Sequence, residues 1–169
     1  IDNEFFHQLL WRPDMLGLAR ALLGEPVVPR AVECFAKPKR VGLPSPWHQD
    51  NAYWCADPAS GLTLWIALDR CDADNGGLTY VRGSHRMGLL PHRASYAPGS
   101  SQTLTKAERL FGDRITPCLQ PGDMLAHHCL TIHGSGPNLT EHPRRGVTLQ
   151  YVGQSVRYEQ AFVINVAAG

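Results

Sequence analysis

The apolar positions of this chain change period once, at Gly24. Before it, Phe5, Phe6, Leu9 and Leu10 form one stripe at helical spacing, and Leu16, Ala19, Leu22 and Leu23 form a second. Pro13 suits the first turn of a helix and Gly24 a C-terminal stop, so residues Asp2 to Leu23 are predicted to be helical in two pieces. After Gly24 come short β-type runs: Val27 to Phe35, Leu62 to Leu68, Leu78 to Val81, Asp123 to Cys129 and Val147 to Val152. Strong turn signals punctuate them, namely Asp74-Asn75-Gly76-Gly77, Pro121-Gly122-Asp123 and Gly134-Ser135-Gly136-Pro137-Asn138.

Alternation within the runs assigns faces. Leu62, Leu64, Ile66 and Leu68 share one face of a strand and Thr63, Trp65 and Ala67 the other, so Trp65 either points into a pocket or is a plain core tryptophan. Val147, Leu149 and Tyr151 share a core-packing face, Thr148 and Gln150 share the face of Arg144, and Arg145 must turn away. Many short strands with such turns predict a barrel or sandwich. The polar stretch from Pro91 to Pro117, with one helical turn expected around Lys106 to Phe111, has the length of a lid or binding loop.

A chain of 169 residues is expected to be a single domain over 1–169. Because it opens on Ile1 rather than Met, it reads as an excerpt of a longer polypeptide. Sixteen basic and fifteen acidic residues leave a formal charge of +1 without like-charge runs, which gives no footprint for nucleic acid or an anionic membrane and points to a small-molecule ligand. Lys37, Lys39 and Arg40 read as a solvated surface rather than a phosphate cradle. Five cysteines, odd in number and without a Cys-x-x-Cys pair, argue against a disulfide framework or structural zinc and suggest a reducing, cytoplasmic setting. No apolar run approaches membrane-spanning length.

The chemistry-bearing residues are few. His48 and Asp50 lie two apart, a spacing that puts both side chains on one face only in extended structure; the same tripeptide also reads as a surface pair at a strand end. His133 follows a β-type run and precedes Gly134-Ser135-Gly136, where backbone can approach a ligand closely. Two imidazoles and one carboxylate are the donor set that holds Fe(II) on one face and leaves the other open. His127 and His128 are adjacent and must face opposite ways on a strand, one buried and hydrogen-bonded, the other toward solvent or an outer contact. If the chain from His133 to Arg144 returns as a hairpin, the Arg144 guanidinium faces the metal from a neighbouring strand, one ligand-length away, and can grip a carboxylate.

Together, Trp47-His48-Gln49-Asp50, Ala52-Tyr53-Trp54, Leu64-Trp65-Ile66-Ala67-Leu68, Asn75-Gly76-Gly77-Leu78, Gly83-Ser84-His85, Pro121-Gly122-Asp123 and His133 to Thr140 with Arg144 resemble the phytanoyl-CoA dioxygenase family of Fe(II)- and 2-oxoglutarate-dependent oxygenases. The resemblance runs from about Val32 to Val152. It departs at Arg82, where relatives often carry Pro, and in length, since family members usually have more chain before the first helix. It implies a mainly β fold, a double-stranded β-helix (jelly roll, cupin-like) with N-terminal helices packed on one sheet. By the same resemblance His48, Asp50 and His133 are the iron ligands, Arg144 binds the distal carboxylate of 2-oxoglutarate, and Ser135 and Trp65 support that cosubstrate.

The implied reaction is oxidative decarboxylation of 2-oxoglutarate to succinate and CO2, with O2 as co-reactant and hydroxyl delivered to a C–H bond of a small organic substrate. Asp50 favours hydroxylation, since a halogenating relative needs a small residue there. The family name does not by itself license a CoA ester. The alternatives are a metal-binding jelly roll that senses or carries a ligand without turnover, and a structural fold with a vestigial site.

Overall fold

A computed structural model describes residues 3–106 and 112–158. Two helices open it, α1 (Glu4–Leu10) and α2 (Pro13–Leu23). The Asn3 carboxamide oxygen caps α1 by accepting from the Phe5 amide, and Gly24 ends α2 in the left-handed conformation, φ 76°, that a side chain would disfavour. Ten strands follow: β1 (Val27–Lys37), β2 (Ser45–His48), β3 (Gly61–Ala67), β4 (Leu78–Val81), β5 (His92–Ala94), β6 (Gln102–Leu104), β7 (Arg114–Ile115), β8 (Met124–His128), β9 (His133–Ser135) and β10 (Arg144–Gly153). A single helical turn, α3 (Asn51–Trp54), interrupts them after β2, and a 3-10 turn covers Ser84–Met87.

Two four-stranded antiparallel sheets carry the architecture. The major sheet has the order β1-β10-β3-β8 and the minor sheet β2-β9-β4-β7, while β5 and β6 form a separate hairpin within the polar 91–117 stretch. The helical turn expected near Lys106 to Phe111 falls largely outside the described residues. The helices pack on the outer face of the major sheet, where Leu62, Leu64, Val147, Leu149 and Tyr151 meet Leu10 and Ala19, and the Tyr151 hydroxyl donates to the Leu10 carbonyl at 2.8 Å. Alternation therefore turns Thr63, Trp65, Arg144, Thr148 and Gln150 inward, onto the cavity between the sheets. The mainly β jelly roll with helices on one sheet is the fold the sequence predicts.

Two local features shape the strands on either side of β10. The β1–β10 ladder shifts register between Pro29 and Ala31, leaving Arg30 as the extra residue of a bulge. At Gly146 a Cβ would collide with the Trp65 indole, so glycine there lets the ring lie against β10.

Candidate active site

His48 ends β2 and His133 opens β9; the two are register partners across the minor sheet, with ring centroids 4.3 Å apart. Asp50 does not continue the strand, as the spacing argument requires. Its backbone is helical, φ −57° and ψ −35°, at the N-terminus of α3, and its carbonyl accepts from the amides of Tyr53 and Trp54. The helical turn returns the carboxylate toward His48, so the pair meets through a strand-to-helix junction and not through a shared strand face. Asp50 Oδ1 lies 3.7 Å from His48 Nε2 and 3.5 Å from His133 Nε2, and one ligand atom from each of the three residues lies within 4.8 Å of the others.

Backbone carbonyls decide the protonation of both rings. His48 Nδ1 is 2.8 Å from the Pro46 carbonyl and His133 Nδ1 is 2.9 Å from the Thr131 carbonyl; a carbonyl only accepts, so each Nδ1 carries the proton. Nε2 is then the ring atom that each histidine turns toward the carboxylate. Burial, reinforced by the neighbouring His48 ring, pushes His133 down to about 3, so it is neutral across the physiological range. Burial disfavours the Asp50 carboxylate too, but the facing His133, the hydrogen bond and charge of His127 and the His48 ring outweigh it and hold the group below the usual carboxylate range. Two ring nitrogens and a carboxylate oxygen thus converge, a donor set that fits a divalent cation.

Arg144 reaches the same cavity from the opposite sheet. The hairpin return from His133 is not what forms: β9 belongs to the minor sheet and β10 to the major one, so residues 136–143 cross between sheets. Buried Asn138 pins that crossing, donating from Nδ2 to the carbonyls of Lys37 at 3.0 Å and His142 at 2.8 Å and from its amide to Gly42 at 2.8 Å. Arg144 is 3% exposed, its guanidinium carbon lies 5.5 Å from the Trp65 ring centroid, and its Nε has no hydrogen-bond partner. It makes no ion pair among the described residues, and burial lowers its pKa. Ser135 Oγ, buried on the facing strand, is equally unpartnered. Arg145 faces solvent and pairs with Asp69, with Nε 2.8 Å from Oδ2.

Several residues of the site are not singled out by the sequence. Thr63 Oγ1 donates to Asp50 Oδ2 at 2.8 Å, and His127 Nε2 lies 3.1 Å from the same oxygen, with Tyr80 behind it. Of the adjacent pair, His127 is the buried, hydrogen-bonded member and His128 looks outward beside His85. Lys37 is a correction: it is 5% exposed rather than solvated, opposite Arg144 in the β1–β10 register, with Nζ donating to the Leu43 carbonyl. Burial, and secondarily the Arg144 charge, bring it from 10.5 down to about 8. The only sequence signal was its inward parity with Glu33 and Phe35 on β1.

The family model for phytanoyl-CoA dioxygenase (PhyH) matches residues 1–146. The chain belongs to the phytanoyl-CoA dioxygenase family. Within this family it is 33% identical over 118 residues to a probable phytanoyl-CoA dioxygenase of Caenorhabditis elegans, covering 66% of this chain and 37% of that protein. It is 31% identical over 143 residues to a probable alpha-ketoglutarate-dependent hypophosphite dioxygenase of Stutzerimonas stutzeri, covering 81% of this chain and 49% of that protein. Among solved structures, EvdO2 from Micromonospora carbonacea var. aurantiaca complexed with 2-oxoglutarate superposes with a TM-score of 0.70 at 30% identity, over 92% of this chain and 65% of that one. The chain thus spans half or less of the length of these two curated relatives. No helix among the described residues is long and apolar enough to cross a membrane.

Proposed function

We propose that this chain forms the catalytic core of an Fe(II)- and 2-oxoglutarate-dependent dioxygenase that hydroxylates a small organic molecule. The observation that carries the reading is one cavity with two complementary halves: three converging donor atoms at one end, and at the other a buried guanidinium Nε and a buried hydroxyl without hydrogen-bond partners among the described residues. Burying a cation without an anion is costly, so the Arg144 end is built for a carboxylate supplied from outside. In this reading His48, Asp50 and His133 hold the iron, while Arg144 and Ser135 hold the far carboxylate of the keto acid. Trp65 walls the space beside the guanidinium and keeps water from it. Fe(II) and 2-oxoglutarate, when bound, supply O2 activation, the release of succinate and CO2, and hydroxyl transfer to the substrate.

The chain's own part is to present its donors: a backbone carbonyl takes the Nδ1 proton of each imidazole, which turns Nε2 toward the ionised Asp50. A second cavity, also bordered by His48 and Asp50, gives the substrate its place. Its wall mixes aromatic rings with polar side chains. Arg30 Nη1 donates to Gln150 Oε1 at 2.6 Å, and Gln150 Nε2 donates to Glu33 Oε2 at 2.6 Å. Arg30 stacks 4.7 Å from the Trp54 ring centroid. Neither Arg30 nor Glu33 makes an ion pair among the described residues, which favours a compact polar substrate over a bare hydrocarbon chain.

The test uses the full-length protein with Fe(II) and 2-oxoglutarate. A visible metal-to-ligand charge-transfer band without O2, and succinate formation with it, are expected. A band without succinate in the presence of candidate substrates favours the sensor reading; absence of both ends the proposal.

A further inference from the structure

Three imidazoles surround the Asp50 carboxylate, and their hydrogen bonds divide them into two kinds. His48 and His133 turn Nε2 toward Oδ1, because each donates its Nδ1 proton to a backbone carbonyl. His127 is reversed. Its Nε2 lies 3.1 Å from Oδ2, an oxygen that only accepts, so this nitrogen donates a proton to the carboxylate. The Tyr80 hydroxyl lies 3.1 Å from Nδ1 and holds the ring by its other nitrogen. His127 and Tyr80 are 6% and 8% exposed, so water does not replace either bond.

We propose that His127, held at its other ring nitrogen by Tyr80, is a positioning residue: with Thr63 it occupies Asp50 Oδ2, so that Oδ1 is left to face a cation between His48 and His133. Thr63 and His127 are directly opposed in the β3–β8 ladder, so both donors stand on rigid strands and reach the same oxygen from one side. The carboxylate is thereby kept from rotating to offer both oxygens to the ion. While its Nε2–H points at Asp50, His127 cannot itself offer that nitrogen to a cation, which would be left to the His48, Asp50 and His133 donors. Neither partner of Asp50 comes from the motif that supplies the ligand, since Thr63 and His127 belong to the major sheet and Asp50 follows a strand of the minor sheet.

This inference rests on the metal assignment proposed above and not on turnover, so it is tested by binding. In the full-length protein, Co(II) is titrated calorimetrically and its ligand-field absorption recorded for wild type, His127→Phe, His127→Gln and Tyr80→Phe, with thermal unfolding run alongside. His127→Phe is expected to weaken Co(II) roughly 10- to 100-fold and to shift the ligand-field bands. His127→Gln, which keeps an N–H at the end of the side chain, should restore most of the affinity, and Tyr80→Phe should lie between. Unchanged Co(II) affinity and spectrum in folded His127→Phe overturns the positioning role, as does a His127→Gln variant no better than His127→Phe. Wild-type protein that binds no Co(II) overturns this role and the oxygenase reading together.

Discussion

Arg144→Gln separates the two halves of the site. The guanidinium is 3% exposed, has no ion pair among the described residues and leaves Nε unbonded, so without cosubstrate it carries the burden of a buried, uncompensated cation. Removing such a charge is neutral or stabilising, and the unliganded variant should unfold at or above the wild-type temperature. With 2-oxoglutarate the order reverses. Leaving a buried carboxylate without its charged partner costs about 2–5 kcal/mol. That corresponds to a loss of affinity of roughly 30- to 5000-fold. Lys37, opposite Arg144 in the register, places the expected loss toward the lower end. Anaerobic titration of the charge-transfer band gives Kd, and thermal scans at 2-oxoglutarate near 100 times the wild-type Kd should stabilise wild type by about 2.7 kcal/mol and the variant by far less. Wild-type keto-acid affinity in Arg144→Gln would refute the reasoning, and so would an unliganded variant destabilised like a broken ion pair.

Lys37→Met addresses the second buried cation. Because the folded protein holds this lysine near 8 and the unfolded chain near 10.5, unfolding takes up a proton between those values, and stability should rise with pH across that window. The variant should lose that slope, read by denaturant unfolding at several pH values; an identical slope would remove the lysine as its source. Absolute stability is the poorer readout, since the Leu43 carbonyl loses its donor. Gly146→Ala drives a methyl into the Trp65 indole and should cost about 1–3 kcal/mol of stability. It should weaken 2-oxoglutarate binding as well, because the ring it displaces borders Arg144; undisturbed tryptophan fluorescence and Kd would show that the strand yields instead.

Much of this molecule was legible because its strands are half-buried and their period is 2. Leu62 to Leu68 and Val147 to Val152 gave their inward and outward faces directly, and with them the orientation of Trp65 and of Arg144 relative to Arg145. The parts that were not legible lie in short or irregular backbone. Strands β2, β7 and β9 have two to four residues, too few to display a period. Asp50 reaches His48 through a helical turn, a geometry that the same two-residue spacing cannot distinguish from a strand face. The path from His133 to Arg144 is set by Asn138, whose bonds to Lys37 and Gly42 are contacts between distant parts of the chain. His127 and His128 were recognised as opposite-facing, but only the pairing of His127 with Thr63 shows which of them looks inward.

The place of Asp50 in the fold has a mechanical consequence. Its backbone follows a strand of one sheet, its Oδ2 is tethered to residues of the other, and its Oδ1 joins two rings that ride on the first. A cation seated there would act as a rivet through the seam of the sandwich. Stripping it out should loosen the gap between the two layers while leaving the ladders within each layer intact, so that hydrogen exchange would quicken along β2 and β9 well before it does in β3 and β10.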